Sequence, residues 1–531
     1  MKKTIKILIV LFSITVFGQS PSGQYMFTDA QRTEIANRIN NGAPVVFGGA
    51  SVFMNDVNSF IANPSANRYT FLGSETPINT NTCYLPVPFN SGCPNVWSTN
   101  IYQAAIYAWA LDNSTVAQQV IDQVVLRSND TKLDFSNTAR FQRGYFAPTD
   151  VPYFYIIAWM SRMLDCYTLL DDRGLITLTT TERNRLNQWF EDCKDWDYSI
   201  VDHNYKQYWG DNWQSDVFSV NSLANVALPD SDGNSTYSNP PFKISDGNGG
   251  FVYPNGYLQT KLQPWTMAAS RWRYGNYLMR YGVAYNDAAC REMSFEVNKM
   301  YLEFGVWADG TNVDANRILR TQLWKATHNY IIGAIAQLLT TAYIFKVATV
   351  NGLTGMEGFT GNEVYDFTTS SGFSSYPSLS GYIGGDTAGG QKNIKLVMDA
   401  YLKWFKQSHG NGSGGWNPPR YSPFTTNNVL IGSHGGNDRN FISVYAFANS
   451  YFNDPVYKNV YEQDEPNMPS KLVYGSGMQT NWAAFNSTAG FHGAFVNIDI
   501  FYANNDGILG GASVPTLPII GRKSKMFGIG F

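Results

Sequence analysis

Residues 307–343 constrain the fold most, because they read as one long helix in the middle of the chain. The stretch opens with an Ala-Asp-Gly turn at 308–310. Asn312 or Asp314 then offers a short polar side chain that can accept hydrogen bonds from the free N–H groups of a first helical turn. The apolar run 331–339 follows. We therefore predict a helix around which the rest of the chain is organised.

One face of this predicted helix carries two guanidiniums, an indole and an imidazole. At 100° per residue they fall within an arc of roughly 80°; they belong to Arg317, Arg320, Trp324 and His328. Guanidiniums bind carboxylates with two hydrogen bonds, imidazole moves protons near neutral pH, and indole stacks on sugar rings. The alternative is a solvated basic face whose arginine stems cover apolar surface.

Several other segments show helical periodicity, and few show the alternation of a strand, which favours a mainly α protein. The predicted helices cover 100–126, 150–170, 181–196, a segment from about 213, 259–281, 286–304, 393–408 and 441–452. Paired helices with long loops on one side can close into an (α/α) toroid. An open α-solenoid would show a fixed repeat length, and the sequence shows none.

The predicted organisation has three parts: a signal peptide at 1–18, short helices and loops at 19–99, and a toroid catalytic domain at 100–531. Loops longer than about 15 residues in a compact domain are usually functional. The long insertions are therefore expected to wall a cleft; they cover 229–256, 355–390 and 409–438.

The first residues predict export. Three lysines lie at positions 2, 3 and 6, the apolar run 7–17 follows, and small residues come next at 18–20. This pattern is typical of a secretory signal peptide. No other uncharged apolar stretch reaches the ~20 residues of a membrane span. We expect a periplasmic or extracellular protein without a membrane segment.

Composition favours a carbohydrate partner over nucleic acid. Only 15% of the 531 residues are charged while 15% are aromatic, and sugar C–H faces stack on rings. A large aromatic core is the alternative explanation. The net charge of −3 argues against nucleic acid, which needs a basic surface.

The cysteines permit disulfides but suggest no zinc site. Cys83 and Cys93 bracket a proline-rich loop and could close it, and Cys166 and Cys193 on consecutive predicted helices could also pair. Cys290 would remain unpaired. No CxxC or Cys/His spacing is present.

Polar and aromatic residues are dense at 203–216, a predicted loop leading into a helix, and such density fits a sugar site. The candidates there are His203, Tyr205, Tyr208, Trp209, Asn212 and Trp213. The alternative is a buried helix start at which Asp211 or Asn212 is only an N-cap.

Cationic and aromatic residues also alternate along 265–281. There Arg271 and Arg280 could line an anionic groove, although a solvated helix face explains them equally well. In the late loops, Trp416 and Arg420 could belong to a lid.

A metal site is the weakest candidate. Asp230, Asp232 and Asn234 place oxygen ligands at alternate positions, as in a calcium loop. The glycine falls in the wrong place and no closing glutamate follows, so the segment is interpreted as a turn. We expect no cofactor, with structural calcium as the minor alternative.

Three stretches resemble the alginate lyase superfamily: NIYQAAIYAWALDN at 100–113, GDNWQSD at 210–216, and the Asp-Gly turn with its Arg-bearing helix at 308–339. The resemblance implies a secreted (α/α) toroid that cuts uronate polysaccharides. The chain departs from that pattern in two places. Trp213 stands where the family has histidine, and the position of the family's catalytic tyrosine holds Thr327 or Trp324.

The expected chemistry is β-elimination without a metal. The C5 proton of a uronate can be removed once donors neutralise the adjacent carboxylate and stabilise the enolate-like intermediate. We expect Asn212 with Arg320, or with Arg317, to do so. His203 and His328 are candidate bases, and the tyrosines at 205, 208 and 330 are candidate acids for the leaving O4.

The predicted function is therefore cleavage of an acidic, uronate-containing polysaccharide by a secreted lyase. Two alternatives stay open. One is a toroid glycoside hydrolase that uses two carboxylates, with Asp211, Asp216 and Asp309 as candidates. The other is a non-catalytic glycan-binding protein with the same fold.

Overall fold

A computed structural model describes residues 21–41, 49–65, 94–138, 141, 151–209, 244–245, 251–252, 275–304, 306, 338–369, 391–399, 438–462 and 507–510. This part of the chain is mainly helical, as predicted. The helices are α1 (Asp29–Asn41), α2 (Gly49–Ala62), α3 (Pro94–Ala110), α4 (Ser114–Ser128), α5 (Val151–Asp172), α6 (Thr180–Trp209), α7 (Asn276–Ala284), α8 (Ala288–Phe304), α9 (338–350), α10 (Asn362–Tyr365), α11 (394–399), α12 (Asp438–Phe452) and α13 (Pro455–Glu462). A 3-10 turn covers Thr131–Leu133.

Strand structure in the described ranges is limited to one small antiparallel pair and an isolated bridge. β1 (Ile244–Ser245) pairs with β2 (Phe251–Val252) in the register Ile244 to Val252. The bridge joins Thr369 to Lys392. None of the described helices is long and apolar enough to cross a membrane.

The single helix predicted for 100–126 is wrong, because two helices occupy it. α3 begins earlier, at Pro94, and ends at Ala110. Asp112 then takes a left-handed conformation with φ 52°, and the side chain of Asn113 caps α4 by accepting a hydrogen bond from the Val116 amide at 3.1 Å. A local turn thus overrides an apolar rhythm that runs through both helices.

α6 begins with a capping box, as the sequence indicates, but one residue earlier than predicted. The Thr179 amide donates to a Glu182 carboxylate oxygen at 2.8 Å, and the Glu182 amide donates to the Thr179 hydroxyl at 3.2 Å. The helix then continues to Trp209. Residues 202–209 were predicted as a loop, and they are helical instead because neither glycine nor proline occurs between 180 and 209.

Contacts at the helix ends show in which directions α3, α5, α6 and α7 run. Asp112, just after α3, accepts a hydrogen bond from Arg173, just after α5, so these two helices end together. Arg183 in the first turn of α6 binds Asp171 at the end of α5. Tyr285, just after α7, donates to Asn187 near the start of α6 at 2.9 Å. Therefore α3, α5 and α7 run parallel, and α6 runs against them.

The predicted pairing of Cys166 with Cys193 is wrong. Both are buried free thiols, as is Cys290. The Cys166 sulfur lies 4.0 Å from the Ile101 carbonyl of α3, whereas the Cys193 thiol lies beside Tyr277 of α7. The two side chains face different neighbouring helices, so no bond can form between them.

Much of the aromatic content lies in the core of the described chain, as the alternative explanation of composition predicted. The largest fully buried side chains are Trp159, Tyr25, Tyr167, Tyr277, Tyr343 and Tyr365. Fully burying one such ring contributes about 1.5–3 kcal/mol to stability. Aromatic content alone is therefore weak evidence for a sugar-binding surface.

The segment before α1 is held inside the helical layer. Tyr25 and Met26 are fully buried, and the Ser22 amide donates to the Ala284 carbonyl at 3.0 Å. The Tyr25 hydroxyl donates to Asp165 of α5 at 2.8 Å and lies 3.0 Å from the Thr168 hydroxyl. A Cβ added to Gly23 would collide with the backbone of Thr168, so only glycine fits there.

Replacing Tyr25 with Phe should lower the free energy of unfolding by about 1–2 kcal/mol, because the Asp165 carboxylate loses a buried donor. The measurement is the midpoint of urea unfolding. Tyr107→Phe is the matched control, since the half-buried Tyr107 hydroxyl makes no hydrogen bond within the described residues. Equal midpoints for both variants would remove the Tyr25 hydroxyl from the forces that hold this segment.

Candidate functional site

The described part of the predicted site is the C-terminal end of α6. His203 is exposed there, and positions 205, 208 and 209 follow it on the same helix. The other predicted catalytic and sugar-binding residues lie outside the described residues. They are Asn212, Trp213, Arg271, Arg317, Arg320, Trp324, His328, Trp416 and Arg420.

Helical geometry separates His203 from the aromatic residues beyond it. Positions 205, 208 and 209 share one face, because residues three and four apart are neighbours on a helix. At about 100° per residue, His203 lies roughly 160° around the helix axis from Tyr205. The sequence placed these residues in one loop, where no such separation could be deduced.

The end of α6 lies at the same side of the helical layer as the starts of α3 and α5, because both helices run against α6. The start of α7 lies beside the middle of α6 instead, because Tyr285 contacts Asn187 and the nine residues of α7 extend only about 14 Å from there. The first turn of each of the two helices α3 and α5 leaves amide N–H groups without an intrahelical partner and carries about half a positive charge. An anionic ligand is favoured at such a place. We call this side of the layer, formed by the end of α6 and the starts of α3 and α5, the amide-rich end.

A buried ion pair joins α5 to α7 in the interior of the layer. The Arg280 Nε donates to both oxygens of Asp165, at 2.9 and 3.1 Å. The Arg280 Nη1 also donates to the Asn276 carbonyl at 3.2 Å and to its side-chain oxygen. Burial raises the pKa of Asp165, while Arg280 and the Tyr25 hydroxyl oppose that rise.

Both predictions for Arg280, that it lines an anionic groove or that it lies on a solvated helix face, are therefore wrong. The side chain lines no groove and is not on a solvated face, because only 4% of Arg280 is exposed. The sequence signal that could have identified the pair is Asp165, the one acid in the mostly apolar middle of α5. A buried carboxylate requires a partner, and arginine is the residue best suited to supply it.

Two further polar side chains lie close to this pair. Arg162 of α5 is buried, and burial, together with the charge of Arg280, lowers its pKa to about 10. Tyr102 of α3 is buried as well, and desolvation raises its pKa far above the ordinary value. The Tyr102 hydroxyl makes no hydrogen bond within the described residues. Groups with perturbed pKa values are common both in functional sites and in structural ion-pair networks.

Asp56 of α2 is an unusual carboxyl group that the sequence reasoning missed. It is half-buried, and burial raises its pKa to about 7. A carboxyl group with that pKa is partly protonated at neutral pH and can donate a proton to a leaving group. The available signal was its place in GASVFMNDVNSFIA, where Asp56 is the only charged residue.

The described residues offer no metal centre. No group of three or more His, Cys, Asp or Glu side chains in the described ranges is arranged to hold an ion. Asp230, Asp232 and Asn234, the residues of the calcium alternative, lie outside those ranges. The expectation of a reaction without a cofactor stays a prediction.

Comparison with known proteins adds no family to this picture. No family model, no curated protein and no solved structure matches the chain. The resemblance to alginate lyases therefore stays an inference from three short stretches.

The raised pKa of Asp56 predicts a pH-dependent gain in stability from Asp56→Asn. The folded state binds the proton more tightly than the unfolded state, whose carboxyl has the ordinary value of 3.8. Protonated Asp56 therefore contributes its full stability below pH 3.8, and this contribution is lost as the pH rises through about 7. At pH 8 we expect Asp56→Asn to raise the free energy of unfolding by about 1–3 kcal/mol, which appears as a higher urea midpoint than that of the wild type. At pH 4 the two proteins should have the same midpoint.

Asp122→Asn, which removes an exposed carboxylate from α4, is the control and should show no comparable pH-dependent difference. A difference between Asp56→Asn and wild type that stays constant from pH 4 to pH 8 would contradict the raised pKa.

Proposed function

We propose that this protein is an exported polysaccharide lyase that cleaves an acidic, uronate-containing glycan by β-elimination, on an (α/α) toroid. The observation that supports it most directly is the amide-rich end, where two helix starts lie on the same side of the layer as the end of α6 with its Tyr205, Tyr208 and Trp209. Helix starts favour a carboxylate, and aromatic rings stack on sugars. A uronate combines both features.

The proposed mechanism needs donors, a base and an acid around one sugar unit. Asn212 follows α6 by three positions in the chain, so it is close in sequence to the amide-rich end. With Arg320 or Arg317 it would neutralise the substrate carboxylate and so acidify the C5 proton. Trp209 and Trp213, with Tyr205, Trp324, Arg271, Trp416 and Arg420, would hold neighbouring parts of the glycan.

The geometry of α6 narrows the choice of base and acid. His203 and Tyr208 lie on different faces of one helix, roughly 140° apart, which does not suit two groups that flank the same sugar bond. We therefore assign the base to His328 and the acid to Tyr208, which shares a face with Tyr205. His203 could act as the base only together with an acid from another segment, such as Tyr330.

A hydrolase remains the second candidate because of Asp56. A carboxyl group with a pKa of about 7 is the kind of acid that protonates a glycosidic oxygen. Such an enzyme needs a second carboxylate, for which Asp211, Asp216 and Asp309 are the candidates in sequence. A glycan-binding protein without activity is the third reading.

Incubation with uronate polymers separates these readings. A lyase produces an unsaturated uronate, so ultraviolet absorbance should rise together with new reducing ends. New reducing ends without the absorbance would favour the hydrolase and contradict the lyase. Binding with neither signal would leave only the glycan-binding reading.

Arg320→Ala should reduce turnover at least about 100-fold, because a donor that stabilises the developing charge is lost. Circular dichroism and the melting temperature should stay at wild-type values. Arg185→Ala is the control, since Arg185 is an exposed arginine of α6 that bonds to Asn129. Wild-type turnover in Arg320→Ala would exclude this residue, and the test would then pass to Arg317→Ala.

A further inference from the structure

A second candidate binding site lies where α8 faces α10. A cleft of about 500 Å³ opens to solvent there. Phenylalanine rings, a hydroxyl, an amide and two carboxylates line it; these belong to Phe295, Thr360, Asn362, Glu363, Asp366 and Phe367. None of these residues is part of the proposed lyase site.

The two carboxylates of the cleft are bound by hydroxyl groups, and no cation pairs with either of them in the described chain. Glu363 accepts a hydrogen bond from the Thr360 hydroxyl at 2.5 Å, and Asp366 accepts one from the Tyr451 hydroxyl at 2.9 Å. A carboxylate has about four acceptor positions, so each keeps free capacity. The cleft therefore has two positions for a positively charged donor.

The nearest described cation, Lys346, does not fill these positions. Its Nζ donates to the Asn362 side chain at 2.8 Å and lies 5.8 Å from the centre of the Tyr451 ring. Burial lowers the pKa of Lys346, although Asp366 and Glu363 act to raise it. Lys346 thus leaves both carboxylates without a directly paired cation in the described chain.

The aromatic wall gives an independent indication of the ligand. The Phe295 and Phe367 rings lie 6.5 Å apart at 74°, and the Lys299 ammonium lies 4.7 Å from the first ring centre and 5.9 Å from the second. Glu296 neutralises that ammonium at 2.8 Å. Lys299 therefore already makes the cation–π contacts of these two rings, and what the rings offer a ligand is apolar surface for C–H contacts.

We propose that this cleft binds a sugar unit with a free amine, such as a glucosamine residue of a glycan. The ammonium would be held between Glu363 and Asp366, and the C–H face of the ring would lie on Phe295 or Phe367. A uronate would be repelled by the same carboxylates. An open cleft suits a rigid sugar ring better than a lysine side chain, whose flexible stem loses more conformational freedom on binding.

Within the described ranges, the charged and titratable groups around the bound amine are Glu363, Asp366, Lys346, Tyr451 and the pair of Lys299 with Glu296. Only the first two carry a negative charge that no described cation neutralises by direct pairing. Because the attraction is electrostatic and close to the surface, the affinity should fall as salt is added.

The test is calorimetric titration of the full chain with a glucosamine tetramer and with the same tetramer N-acetylated, which has no charge. We expect the glucosamine tetramer to bind at pH 6 and the acetylated tetramer to bind at least tenfold more weakly. Glu363→Gln and Asp366→Asn should each weaken binding about tenfold, because each removes a charge-assisted hydrogen bond.

Glu292→Gln is the matched control, because Glu292 is an exposed carboxylate on α8, outside the cleft. It should leave the affinity unchanged, and melting temperatures will show whether every variant is folded. The proposal is overturned by equal binding of the two tetramers, by no binding of the glucosamine tetramer, or by tighter binding of a lysine tetrapeptide. Uronate cleavage plays no part in this result, so its failure and that of the lyase proposal are distinguishable.

Discussion

The buried ion pair between Asp165 and Arg280 is the contact on which the described helices depend. Its partners are 115 residues apart in sequence, and together they join α5 to α7. Burying two charges costs several kcal/mol per ion, and only close geometry with further hydrogen bonds offsets that cost. Here Tyr25 and Asn276 supply those bonds. Removing one partner would leave a buried charge and destabilise the protein by about 3–5 kcal/mol.

This ion pair also fixes the position of α7 along the axis of α5. A one-turn slip of α7 along α5 would move the Arg280 side chain about 5.4 Å away from Asp165. The two helices therefore keep one register, in which α7 starts about 15 Å further along α5 than the first residue of α5.

Sequence reasoning succeeded where burial follows a regular period. The second predicted helix, 150–170, agrees closely with α5 because its apolar residues recur at helical spacing. It failed where one residue decides the outcome. The left-handed Asp112 divides α3 from α4, and no average over a window detects a single φ angle.

The role of Arg280 could not be predicted for a different reason. Its partner is far away in sequence, and an arginine on a helix is more often solvated than buried. The polar composition of 202–209 led to the wrong prediction of a loop, since polar residues favour a loop only when glycine or proline accompanies them. The candidate site was accordingly predictable in its residue types but not in their arrangement around α6.

The two proposed sites prefer opposite charges. At the amide-rich end, exposed N–H groups and arginines would attract a sugar acid, while the cleft of Glu363 and Asp366 would repel it. A glycan made only of uronates could then occupy the first site but not the second. A glycan that also carries amine-bearing sugars could occupy both, and the second contact would add affinity through effective concentration without taking part in the reaction. The charge pattern of the protein surface, more than any single residue, would in that case select the polymer.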